Sequence, residues 1–219
     1  MSSSATTYAE LARIAAALSS PKRLRAFNLL LQRDLCVEEV AELLGESEAN
    51  TAAHLKALRG VGLVSARKVG KRVYQRADRG PGLRLYLALR DAGEALSPAL
   101  RLLEQELRHD ESVAGLTPAD LERTLRSRRT KLLDLRPRPE FDAGHLPGAT
   151  SLPFADLAER LDRLPARRRL LVYCRGKYCP NAEEGTRVLR GAGFAAERLP
   201  FGVPEWVSSG RDLEAEVTS

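Results

Sequence analysis

Apolar residues recur at helical spacing over residues 9–18 and again over 22–32, and Ser20 followed by Pro21 forms a cap and first-turn pair for the second of these stretches. Two helices therefore open the chain. A short third helix is predicted over 37–44, stopped by Gly45. Ser47 then caps a fourth over 48–59. Two short helices joined by so tight a turn have helix-turn-helix spacing. After Gly62 the run LVSARKVGKRVYQRA alternates apolar and basic residues around Gly70, which predicts a two-stranded hairpin, or wing. A long amphipathic helix is expected over 83–107, with apolar positions Leu83, Leu87, Leu96, Leu100, Leu103 and Leu107. These positions suit either a dimer seam or packing onto its own domain.

The periodicity then breaks. Residues 110–117 hold charge and glycine without apolar repeat, and the linker is placed there, between a first domain at 1–109 and a second at 118–219. Beyond it the runs KLLDL, ATSLP, LLVYC and AAERL alternate with helical stretches at 155–164 and 181–189, the signature of an α/β domain on a parallel sheet. At 219 residues the chain is long enough for two such cores. No apolar run approaches a membrane span. The N-terminus lacks the basic start and cleavage site of a secretory signal, so a cytoplasmic protein with no membrane partner is expected. Three widely spaced cysteines make no disulfide framework and are read as free thiols.

Charge sharpens the reading of the first domain. The net +6 says little alone, but from Lys56 to Arg90 ten basic residues face a single acid, Asp78. That excess is a footprint for polyanion binding where a DNA-reading motif overlaps it, and otherwise a solvated basic face. Here one overlaps. The segment from Asp34 to Arg76, DLCVEEVAELLGESEANTAAHLKALRGVGLVSARKVGKRVYQR, resembles the helix-turn-helix and wing of the ArsR/SmtB repressors. The resemblance implies a homodimer that reads double-stranded operator DNA, with the helix at 48–59 in the major groove. On that helix Asn50, Thr51, His54 and Lys56 are the contact candidates, and Arg67, Lys68, Lys71 and Arg72 of the wing are candidates to neutralise phosphates. Ala52 and Ala53 replace a polar pair common in that family. His54 has a second reading as a partly buried helix residue.

Metal sensing is not expected. Where many of these repressors carry Cys-Val-Cys, this chain has Cys36, Val37 and Glu38, and a soft-metal site wants several sulfurs. Asp91 and Glu104 match two positions of the family's other site, but Gly93 and Leu107 stand where further ligands belong. Cys36 reads as a small buried residue, or else as a redox partner for another thiol.

In the second domain the segments LLDLRPRPEFDAGHLPGATSLP, YCRGKYCPNAEEGTRVLRGAGF and LPFGVPEW together resemble a single rhodanese-like domain. Cys174 ends an apolar run and is followed by Arg175, Gly176, Lys177, Tyr178 and Cys179, ahead of a helix starting near Pro180. Backbone N–H groups, a helix N-terminus and two cations around one sulfur are expected to favour a thiolate or a bound persulfide. The resemblance implies that Cys174 takes sulfane sulfur from a donor such as thiosulfate or a persulfide, without a cofactor. A cysteine phosphatase of related fold would need an arginine at position 180, where this chain has proline. Cys179 either attacks oxidised sulfur on Cys174 to close a reversible disulfide or packs under the loop. The combined expectation is a DNA-binding repressor whose rhodanese-like domain senses or transfers sulfane sulfur. The alternatives are a sulfurtransferase tethered to DNA and a non-catalytic partner-binding module.

Overall fold

The computed structural model describes residues 3–108, 114–127 and 129–215, and of residues 3, 107 and 108 the backbone only. The chain divides into two compact units, Met1–Leu85 and Tyr86–Ser219. The predicted linker at 110–117 falls partly outside the described residues.

The first unit is helical. Helices α1 (Ser3–Leu18), α2 (Pro21–Gln32), α3 (Val37–Leu44) and α4 (Glu48–Arg59) are followed by an antiparallel hairpin, β1 (Val64–Val69) and β2 (Arg72–Ala77). Their limits are set by local chemistry. Ser20 Oγ accepts from the Arg23 N–H at the start of α2, and Ser47 Oγ accepts from the Asn50 N–H at the start of α4. Gly45, at φ 63°, ends α3 in the left-handed region that a side chain would resist. Phe27, Leu30 and Leu31 of α2, Val40 and Leu44 of α3, and Leu55 and Leu58 of α4 close the core. The hairpin turns on Gly70 and Lys71, with a positive φ at the glycine alone, the arrangement of a two-residue II′ turn.

The long helix expected over 83–107 is two helices, α5 (Pro81–Leu96) and α6 (Pro98–Arg108). Pro98 has no N–H for a continuing helix and disfavours helical backbone at Ser97. The Ser97 hydroxyl instead accepts from the Leu100 N–H and starts α6 afresh.

The remainder of the second unit is α/β. Helices α7 (Pro118–Leu125), α8 (Arg138–Ala143), α9 (Pro180–Gly191) and α10 (Val203–Ser208) accompany strands β3 (Thr130–Asp134), β4 (Ala149–Ser151), β5 (Arg169–Tyr173) and β6 (Ala196–Arg198). All pairs are parallel, in the order β4-β3-β5-β6. The helical stretch expected at 155–164 is 3₁₀, and α7, α8 and α10 had no counterpart in the sequence reading. Leu132, Leu171, Tyr173 and Trp206 fill one side of the sheet, and Leu133, Val172, Leu170 and Leu189 the other. Each interior strand is therefore apolar on both faces, as a covered parallel sheet requires.

Candidate functional site

In the first unit α4 presents one face outward. Asn50 and Lys56 are exposed there and His54 is half-buried. Thr51 is not on that face: it is fully buried with Leu55 and Leu58, because residues four and seven apart on a helix share a side. Thr51 is accordingly withdrawn as a base-contact candidate. The exposed neighbours of Lys56 are Ala52 and Ala53. The Asn50 amide donates to Glu46 Oε2 at 3.3 Å. Along the wing, Arg67, Lys68, Lys71 and Arg72 are all exposed. A residue missing from the sequence reading organises the base of the wing: Asp34 accepts from both Nε and Nη2 of Arg76 and lies 3.9 Å from Arg67 Nη2. Cys36 is the N-cap of α3 and is buried. Desolvation pushes its thiol up to about 11.

In the second unit Cys174 follows the last residue of β5, an interior strand, and is 2% exposed. Cys179 is half-buried and is the N-cap of α9, with Pro180 in the first turn. The turn between them closes through the Cys179 N–H to the Gly176 carbonyl, at 3.1 Å. The two Sγ atoms lie 2.7 Å apart, within a single S–H···S hydrogen bond. This pair shares its charge unevenly. The bond to Cys174 lowers Cys179 to about 6 against the cost of burial, helped by the backbone N–H groups of Arg175 and Asn181. The same bond, with burial, raises Cys174 well above the usual thiol range. The sequence-based expectation puts the thiolate on Cys174; in the structure the pair shares one charge, with Cys179 the lowered and Cys174 the raised partner.

Each cation of the loop meets carboxylates. Arg175 Nε lies 2.9 Å from both oxygens of Glu140 on α8, and its Nη2 lies 2.5 Å from Oε1. Lys177 Nζ lies 2.5 Å from Glu94 Oε2 and 2.5 Å from Glu104 Oε1, on α5 and α6. The Tyr178 hydroxyl donates to Glu94, and Arg198 Nη1 donates to the Lys177 carbonyl at 2.9 Å. Glu94, Glu104 and Glu140 carried no signal as loop partners, because a contact made across so much intervening chain leaves no periodic trace in sequence.

Two glycines give the loop its shape. Gly176 adopts φ 134°, a conformation strained for any side chain. A Cβ on Gly202 would stand 2.5 Å from the Cys174 carbonyl oxygen and 2.7 Å from the Gly176 nitrogen, so only glycine lets the start of α10 press against the loop backbone. Glu205 of α10 accepts from the Gly202 N–H at 2.8 Å and forms an ion pair with Arg90 of α5.

Beneath the site is a buried charge pair. Asp134, at the end of β3, accepts from the backbone N–H, Nε and Nη2 of Arg136, and from the Tyr173 hydroxyl at 2.5 Å. Arg136 also donates to the Gly144 carbonyl at 2.8 Å. Burial opposes its charge, and Asp134 more than offsets that, holding the guanidinium protonated. Among the described residues no group of three or more His, Cys, Asp or Glu is placed to hold a metal, and no helix is long and apolar enough to cross a membrane.

Comparison with known proteins follows the same division. Residues 20–66 match the bacterial regulatory protein, arsR family, and residues 117–209 match the rhodanese-like domain. An HTH-type transcriptional regulator of Mycobacterium tuberculosis is 36% identical over 206 residues, which cover 94% of this chain and 90% of that protein. A transcriptional repressor SmtB homolog of Synechocystis is 33% identical over 82 residues, covering 37% of this chain and 62% of its own length. Among solved structures, a homodimeric winged helix-turn-helix DNA-binding fragment from Mycobacterium bovis is 34% identical with a TM-score of 0.41, covering 44% of this chain and 91% of the fragment. A rhodanese-related protein from Thermoplasma volcanium is 20% identical with a TM-score of 0.42, covering 46% of this chain and 97% of its own.

Proposed function

The chain belongs to the family of transcriptional regulators that join an arsR-type helix-turn-helix to a rhodanese-like domain, and from that premise we propose that it is a sulfur-responsive repressor in which Cys174 accepts sulfane sulfur. The observation that carries this reading is the seat of Cys174: a cysteine at the end of an interior strand, under a loop whose backbone N–H groups, with Cys179, hold one negative charge at the sulfur pair. A Cys174 thiolate, formed by passing its proton to Cys179, attacks the outer sulfur of a persulfide. The donor's S–S bond breaks, its thiolate leaves, and Cys174 carries the persulfide. We assign DNA binding and dimerisation to residues 1–109 and sulfur chemistry to 118–219, the bounds expected from sequence.

DNA contacts are assigned to exposed Asn50 and Lys56 and half-buried His54 on α4, and to Arg67, Lys68, Lys71 and Arg72 on the wing. A homodimer is supported by an exposed apolar stripe on α1, where Tyr8 is 70% and Leu11 57% exposed and Ala12 and Ala15 follow at helical spacing.

Fluorescence anisotropy with DNA from the protein's own upstream region, at fixed salt, tests the reading. Treatment with a sulfane-sulfur donor is expected to weaken binding at least about tenfold, equivalent to about 1.4 kcal/mol, with a reductant restoring it. Cys174→Ser should bind DNA as the parent does and ignore the donor. If the parent ignores the donor yet transfers sulfur, the two units act separately. If it neither transfers sulfur nor responds, the rhodanese-like domain is a partner-binding module.

A further inference from the structure

Cys179 is more than a neighbour of Cys174. From the 2.7 Å separation of their Sγ atoms and the way the loop holds them together, we propose that Cys179 is a second catalytic cysteine, which reduces the sulfane sulfur on Cys174 to hydrosulfide and leaves a Cys174–Cys179 disulfide. The inference rests on Cys174 first taking that sulfur.

The step balances without any added oxidant. Cys179 gives the proton it took from Cys174 to the donor's departing thiolate, its own thiolate attacks Sγ of the Cys174 persulfide, and the Sγ–Sγ bond forms. The bond from Cys174 Sγ to the sulfane sulfur breaks, and that sulfur leaves with the electron pair as HS⁻. The sulfane sulfur has gained two electrons, and the two cysteines together have lost two.

Three features of the loop favour this course over storage of the persulfide. Cys179 is fixed as the N-cap of α9 and by its own N–H on Gly176, so its sulfur stays near Cys174. In the reduced pair Cys179 is held down to about 6, first by the bond to Cys174 and then by the N–H groups of Arg175 and Asn181, and those two N–H groups still face its sulfur once Cys174 carries the persulfide. The intervening residues are tied from outside: Lys177 to Glu94, Glu104 and, through its carbonyl, Arg198; Tyr178 to Glu94; Arg175 to Glu140. A loop so braced holds the pair in attacking geometry. A Cys179 that merely packed beneath the loop would need neither the shared proton nor the helix-terminal N–H.

The experiment uses the reduced full-length protein and glutathione persulfide as the probe. The expected result for the parent is one equivalent of hydrosulfide per chain, a mass lower by two hydrogens, and a 174–179 linkage on peptide mapping. A reductant should permit a second equivalent. Cys179→Ser and Cys179→Ala lack the proton acceptor, so each should gain one sulfur atom on Cys174 more slowly than the parent reacts, and release no hydrosulfide. A parent that keeps the added sulfur on Cys174, with neither sulfide nor disulfide formed, overturns the proposal while leaving Cys174 as the acceptor. If no form gains or reduces sulfur, the Cys174 reading fails, and this one with it.

Discussion

At the scale of the residue, the sulfur pair is a titrating unit with a defined pH window. Because Cys179 is held below its ordinary value and Cys174 above it, one proton leaves the pair near pH 6 and the second only at strongly alkaline pH. The sign follows: the pair is an anion above about 6 and neutral below it, so its alkylation by iodoacetamide should slow about tenfold for each pH unit below that point. Thiolate absorbance should show the same step, and Cys179→Ser should abolish it. Cys36, pushed up to about 11 by burial, should stay unlabelled at neutral pH in the folded chain. Labelling of Cys36 as fast as the pair would contradict the burial seen here.

The Asp134–Arg136 pair invites a different test, because both side chains are completely buried. Removing one partner strands the other charge in the interior. Arg136→Met is expected to destabilise the second unit by about 3–5 kcal/mol, read from urea unfolding followed by the fluorescence of Trp206, the single tryptophan. Asp134→Asn combined with Arg136→Met should lose clearly less, since no unpaired charge remains. Equal losses in the single and double variants would mean that packing of the long arginine side chain, not its charge, is what the fold needs.

At the scale of the element, the wing carries exposed cations on a scaffold that does not depend on them. Lys68 and Lys71 are solvent-facing, whereas the hairpin is held by its ladder, by buried Val64 and Ala77, and by Gln75 paired to Leu35. Lys68→Ala and Lys71→Ala should therefore leave unfolding unchanged, weaken operator and non-operator DNA alike, and each lower the slope of log K against log salt by about 1. A loss confined to one DNA sequence would make them base readers instead. Sequence legibility also differs by element, for physical reasons. Helices α3 and α4 fall where the pattern places them, since Gly45 and Ser47 act on their immediate neighbours. The break between α5 and α6 was masked by leucines whose spacing continues across Pro98. Thr51 looked like a DNA contact because it is polar, yet helical phase puts it beside Leu55 and Leu58. For the loop, the spacing of Cys174 and Cys179 places both thiols on one turn, while the charge balance set by Glu94, Glu104 and Glu140 depends on tertiary structure alone.

At the scale of the whole molecule, the proposed repressor depends on two chains acting on one operator. Helix α1 puts Tyr8, Leu11, Ala12 and Ala15 at i, i+3, i+4 and i+7, and all four are exposed in the single chain. Placing such a stripe against its copy removes apolar surface from water and creates a two-fold pair, which is what a near-palindromic operator presents in DNA. Light scattering of the purified protein is expected to give twice the 24.1 kDa chain mass. Tyr8→Asp with Leu11→Asp places two carboxylates in that seam and should give monomers with intact helix content. The monomer keeps α4 and the wing, so its contacts to one half-site survive. What it loses is the second half-site bound at high local concentration, about 10²–10⁴ in affinity for the full operator. Binding of a single half-site should change little. If the double variant remains a dimer, the seam lies elsewhere, and the exposed Leu85 and Leu89 of α5 are the next positions to charge. If it becomes monomeric and still binds the full operator as tightly as the parent, one chain suffices for recognition and the two-fold reading is wrong.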